Sequence, residues 1–211
     1  MHAGLRKEYA LFKALLGLCF VLGAVLYGGQ AEARVPLKVA MVPIVQEGYM
    51  SPGDEARHNL DVLLERSVHV PLNGVLQAVE YVPEETVIRE FIALDQAAGG
   101  KRHETRKAVV KALAEKTGAD VAILPVLTNY EEWVTSSFCF DWGSVLHSYV
   151  SWDLFIYDAR TGENFCKTTS RYYHDSYSTW GLASQLAKEA LDEALQGAKV
   201  HDRIWPDLKE S

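Results

Sequence analysis

"SWDLFIYDARTGENFCKTTSRYY", residues 151–173, decides how this chain folds. Its first half continues an alternation that begins upstream in "VLHSYV". Val150, Trp152, Leu154 and Ile156 fall on one side, and Ser151, Asp153, Phe155 and Tyr157 on the other. A period of two over this length is a half-buried strand. "ENFCKTTSRYYH" reads as a second strand. Between them lies a dense polar cluster: Asp158, Arg160, Thr161, Gly162 and Glu163. It could serve as a ligand loop, but each residue has a structural use in a tight turn. Asp158 is placed to accept hydrogen bonds from the backbone amides just ahead of it. Gly162 can take the positive φ that closes a four- or five-residue hairpin loop. Such a turn sets Cys166 opposite Phe155.

Working outward, "ADVAILPVLTNYEEWV", residues 119–134, reads as a strand joined to this hairpin. Before it, "ETRKAVVKALAEKTG", residues 104–118, carries Thr105, Val109, Ala112 and Leu113 on one helical face. Gly118 stands where a left-handed C-cap is wanted. Pro83 opens another helix, with Glu84 and Glu85 in the first turn where the helix dipole favours negative charge. "VLQAVEYV", residues 75–82, and "LKVAMVPIV", residues 37–45, read as strands. Between these two, Asp54 can cap a helix bearing Ala56, Leu60, Leu63, Leu64 and Ser67. A last helix starts at Ser178 or Thr179, carries Leu182, Leu186, Ala190, Leu191 and Ala194, and closes at Gly197. The order is β-α-β-α-α-β-β-β-α. The predicted fold class is α/β (α+β): a single mixed sheet of about five strands with helices packed on it. The three later strands form an antiparallel meander, and the first two lie parallel across a helix. The polar face of the meander is expected to be open to water or to a partner.

Arg6, Lys7 and Lys13 precede the apolar run "ALLGLCFVLGAVLY", residues 14–27, and the small-residue site Ala31-Glu32-Ala33 follows. This is the pattern of a secretory signal, with cleavage expected after Ala33. The 14-residue run spans about 21 Å as a helix, short of the roughly 30 Å apolar core of a bilayer. Residues 1–33 are therefore expected to be a leader, and residues 34–211 a single globular α/β domain, exported to the periplasm or beyond the cell. No later segment approaches the length of a spanning helix. Removing the three basic and two acidic residues of the leader from the 21 and 28 of the chain leaves 18 against 26, a net charge of −8. That balance argues against nucleic acid and against an anionic membrane surface as partners.

Cys19 falls inside the leader, preceded by Leu18 where a lipid-modified cysteine wants a small residue. Cys139 and Cys166 remain. The strand layout sets them far apart, so a disulfide would need a loop folded back along the sheet. The histidines after the leader are His58, His69, His103, His147, His174 and His201, and none stands in HExxH or a similar spacing. No GxSxG elbow and no phosphate loop occurs. No catalytic, cofactor-binding or metal-ligating residue is assigned, no cofactor is expected, and no enzymatic activity is expected.

Two short motifs, "KTGADVAILPV" and "DARTGE", together with the element order, carry a resemblance over roughly Leu37 to Leu195. This part of the chain resembles the bacterial envelope proteins around the curli-secretion lipoprotein family, and the amino-terminal domain of the Tol-Pal protein TolB. The resemblance implies an α/β sheet module in envelope assembly, secretion or protein docking. Its partners would be envelope or secretion proteins, and a homo-oligomer is one expected form. The chain departs from these proteins in three ways. It has no usable lipid-attachment cysteine, no propeller is expected after the last helix, and segment 130–157 is short for membrane-spanning hairpin inserts.

The richest local composition is residues 129–152, which hold Tyr130, Trp133, Phe138, Phe140, Trp142, Tyr149 and Trp152. Trp152 reads as core. Trp133, Phe138, Phe140 and Trp142, around a connecting turn, form the candidate interface, since aromatics of this kind anchor protein contacts. The expected function is a non-enzymatic, envelope-associated docking or assembly module. The alternative is an extracytoplasmic small-ligand or metal-binding protein using the open sheet face with Tyr157, Tyr172, Tyr173 and His174.

Overall fold

A computed structural model describes residues 35–100, 102–136 and 144–205. The expected leader lies outside these residues, as do Phe138, Cys139, Phe140 and Trp142. From Pro36 to Trp205 the described residues form one compact unit. Its elements are β1 (Leu37–Met41), β2 (Val45–Gln46), α1 (Asp54–Val68), α2 (Asn73–Leu76), β3 (Val79–Tyr81), α3 (Glu84–Ala98) and α4 (His103–Thr117). Then follow β4 (Val121–Thr135), β5 (Val145–Asp158), β6 (Glu163–Ser176), a 3-10 turn (Thr179–Gly181), α5 (Ala183–Gly197) and α6 (Val200–Ile204).

The strands make one mixed six-stranded sheet in the order β3-β1-β4-β5-β6, with β2 also pairing β4. β1 runs parallel to both β3 and β4. β4, β5 and β6 form the expected antiparallel meander. The 158–162 turn forms as read from its residues. Gly162 has φ +72° and donates its amide to the Asp158 carbonyl at 2.8 Å. The Asp158 carboxylate accepts from the Arg160 amide at 3.1 Å and from its guanidinium at 3.0 and 2.8 Å. Phe155 pairs with Cys166.

The sixth strand has a physical origin. Pro125 sits inside β4 and cannot donate to a neighbouring strand. β1 pairs with Val121–Ile123 and β2 with Val126–Leu127, so the proline falls in the gap where the first strand leaves the sheet and returns. The strand expected over 75–82 is shorter than its apolar run. Leu72 and Gln77 adopt left-handed φ values of 59° and 47° around the one-turn helix α2. The Asn73 side chain then bonds both the amide and the carbonyl of Val79 at 2.8 Å, so regular pairing starts only there. Asp54 does not cap α1. Gly53 takes the N-cap position and Asp54 lies in the first turn. α5 ends on Gly197 without a left-handed cap. A Cβ there would meet only the far end of the Lys167 side chain, which can move aside.

The main correction concerns the open face. Helices cover the sheet on both sides. α1, α5 and α6 pack over a core that includes Leu127, Tyr130, Trp152, Leu154 and Ile156. α3 and α4 pack over a second core with Ala122, Leu124, Val126 and Phe155. The polar side of β5 therefore lies under α4 along its later half, where Ser151 and Asp153 are buried. This face stands clear of the helices around Trp133, His147 and His174 and along β6 at Thr168 and Ser170, whereas the opposite face stays covered there, with Leu146 and Ser148 buried and Glu132 accepting from the Ala183 amide of α5.

Candidate functional site

That uncovered end is built by a register shift. β4 alternates regularly up to Leu127, and a bulge then falls between Leu127 and Asn129. The extra residue, Thr128, bonds the Ser151 carbonyl at 3.0 Å. The shift reverses the alternation. Tyr130 enters the same core as Leu127, and Trp133 turns to the opposite face. There its ring stacks on His147 at 5.0 Å and 6°. His147 bonds Thr135 Oγ1 through Nε2 at 2.9 Å and His174 Nδ1 through Nδ1 at 2.8 Å. Tyr172 stacks on His174 at 6.1 Å and 8°. The result is a row of four rings, Trp133, His147, His174 and Tyr172, across three strands. In the His147–His174 bond one ring must donate and the other accept, so protonation of both would break it.

The row is exposed. Trp133 is 44% accessible, Tyr172 62%, and Trp180, just beyond the same end of β6, 72%. Val134, at the same end, is exposed on the opposite face. Of the four candidate interface residues, Trp133 is thus at the surface, and Phe138, Phe140 and Trp142 lie outside the described residues. The ligand face expected from Tyr157, Tyr172, Tyr173 and His174 does not assemble. Tyr173 points to the other side of the sheet, against Gly181 and the α5 core. Tyr157 lies far along β5, opposite Asn164.

Two other features bear on function. A cleft of about 650 Å³ opens at the carboxyl ends of β1 and β3 beneath α1. Val39, Leu64 and Val68 form its floor, and Arg57, Asp61 and Glu65 its charged side. Burial raises the Asp61 carboxyl above the ordinary value, and Arg57 partly offsets this. The second feature joins His103, Asp153 and Cys166 where α4 begins over β5 and β6. Burial pushes the Cys166 thiol up to about 11, and the Asp153 charge adds to that. Among the described residues Cys166 forms no disulfide. The Asp153–Cys166 half of this cluster was legible once Phe155 was set opposite Cys166, because residues 153 and 166 then share a face. His103 was not, because its place over the sheet depends on how α4 packs.

No family model matches the chain, and no curated protein does. Solved structures show a loose likeness. A lipoprotein from Neisseria meningitidis is 19% identical, with a TM-score of 0.37 over 78% of this chain and 99% of that one. The PelC dodecamer from Paraburkholderia phytofirmans is 12% identical, with a TM-score of 0.38 over 76% and 86%. A hypothetical protein from Chlamydia trachomatis is 10% identical, with a TM-score of 0.44 over 82% and 100%. At these scores the likeness is one of element arrangement, and no function follows from it. Among the described residues no helix is long and apolar enough to cross a membrane.

Proposed function

We propose that this is an exported, non-enzymatic protein of the cell envelope that docks onto a partner protein through the free end of its β4–β5–β6 meander. The observation that carries the reading is the row of rings on one face at that end, Trp133, His147, His174 and Tyr172, with Trp133 and Tyr172 largely exposed. Single exposed apolar residues are ordinary, but a cluster of rigid aromatics is the composition of an interface centre. Tryptophan and tyrosine bury large area while losing little rotamer freedom, so they anchor contacts efficiently. Glu131, two residues before Trp133 on the same face of β4, gives the row an acidic edge, which suits a partner with an apolar centre and a basic rim. The amino-terminal sequence supplies the compartment: a basic start, a short apolar run and a small-residue site.

The test is site-specific photocrosslinking in intact cells, with the crosslinker at position 133 or 172 and, as control, at Glu115 on the outer side of α4. A discrete adduct with an envelope protein from 133 and 172, absent from 115, is the expected result. Identical patterns from all three positions, or no adduct from any, would overturn the reading.

The cleft under α1 favours a second reading, a small-ligand-binding protein. Its apolar floor and its three carboxylates, Asp61, Glu65 and Glu84, beside the single arginine Arg57 suit an amphipathic cation. A thermal-shift screen of hydrophobic amines separates the two readings, because a ligand that binds only the folded state raises the Tm on saturation.

A further inference from the structure

The cluster at the start of α4 joins three metal-ligating side chains from distant parts of the chain. His103 is the first residue of α4, Asp153 lies on β5 and Cys166 on β6. One imidazole nitrogen, one carboxylate oxygen and the thiol sulfur all lie within 4.8 Å of one another. The carboxylate is already oriented. Thr168 Oγ1 donates to Asp153 Oδ1 at 2.5 Å, and Oδ2 faces His103 Nε2 at 2.8 Å. His103 is also held edge-on against Phe155, with ring centroids 5.6 Å apart.

Asp153 is only 6% exposed. A carboxylate so far from water ordinarily has an arginine or lysine against it. Among the described residues its ion-pair partner is His103, which carries charge only when protonated. Lys107, whose charge reaches the Cys166 thiol, is paired with Glu104 at 3.1 Å. Among the described residues the site therefore joins a buried carboxylate, with no arginine or lysine paired to it, to a sulfur and a nitrogen donor.

We propose that His103, Asp153 and Cys166 bind a borderline-soft divalent cation, zinc in first place, with a fourth position open to water on the exposed His103 side. The donor set selects for it. Zinc takes nitrogen, sulfur and carboxylate oxygen together in a tetrahedral shell, with bonds of roughly 2.0–2.3 Å. Calcium and magnesium want oxygen alone. On binding, the thiol releases its proton to water, and the thiolate and carboxylate together neutralise the ion's two charges. Thr168 becomes the outer partner that holds the carboxylate in place. His103 Nε2 and Asp153 Oδ2, 2.8 Å apart, would part slightly to admit the ion, which the half-exposed imidazole allows by side-chain rotation.

The experiment uses the reduced, chelator-stripped full-length protein with zinc and cobalt as probes. Equilibrium dialysis with elemental analysis should give one zinc per chain. Cobalt should produce a thiolate-to-metal absorption band in the near ultraviolet. Cys166→Ser should abolish that band, and His103→Ala should weaken zinc binding at least about tenfold. Both variants change partly exposed side chains, so they avoid the buried Asp153. His147→Ala, in the other histidine pair, should bind zinc as the native chain does. The proposal is overturned if no stoichiometric ion binds, if binding survives in both His103→Ala and Cys166→Ser, or if it is lost in His147→Ala.

Discussion

Asp158 shows what one residue contributes when the turn around it is complete. Burial alone would raise its carboxyl. The Arg160 side-chain hydrogen bond, the Arg160 charge and amide, and the charge of Arg203 outweigh this and hold it below its ordinary value of 3.8. Arg160 also reaches the Arg203 carbonyl at 2.7 Å, which ties the turn to the C-terminal helix α6. Asp158→Asn keeps the shape and removes the charge-assisted bonds, so it should cost about 1–3 kcal/mol in urea unfolding at neutral pH. The sign of the pH dependence follows from the lowered folded-state value. The stabilisation is present above the ordinary carboxylate value and is lost as the pH falls through the folded one. The stability gap between the native chain and Asp158→Asn should therefore close on acidification. A gap that widened at low pH would contradict this account.

Among the elements, α4 is the one whose placement matters most, and a buried arginine fixes it. Arg106 is 2% exposed, bonds Glu47 Oε1 at 2.5 Å, and pairs with Asp95 on α3. It therefore links α4 to α3 and to the segment after β2. Arg106→Met keeps much of the apolar stem and removes the charge, leaving two carboxylates facing a protein interior. The expected loss is roughly 2–4 kcal/mol, below the full cost of a wholly buried pair because Asp95 is partly exposed. Chemical denaturation measures this directly. A variant as stable as the native chain would mean that the pair offsets only its own desolvation. Because α4 begins with His103, the same substitution should also disturb the His103–Asp153 contact.

For the whole molecule, the two cores divide the meander into a covered half and a free end. Residues 121–127 and 151–158 lie between helices on both faces. The strand ends near Trp133, His147 and His174 carry their rings in the open. Amide exchange should be slowest in the covered halves of β4 and β5 and faster toward 131–135, at the exposed end of β4. Uniform exchange along the meander would contradict the division. Much of this molecule could be read from local pattern. The turn at 158–162, the pairing of Phe155 with Cys166, the left-handed glycine at 118 and the order of the main elements all depend on neighbours in sequence or on a single hairpin. Period, turn chemistry and capping report those directly. The covered polar face, the direction of Trp133 and the meeting of His103 with Asp153 and Cys166 were decided elsewhere. The first depended on α3 and α4 lying over that face, because residues such as Asp153 keep partners there without water. The second turned on one extra residue at the Leu127–Asn129 bulge, which reverses every side chain after it. The third needed a helix start and two strands to be carried together by packing, and no spacing within the chain records that distance.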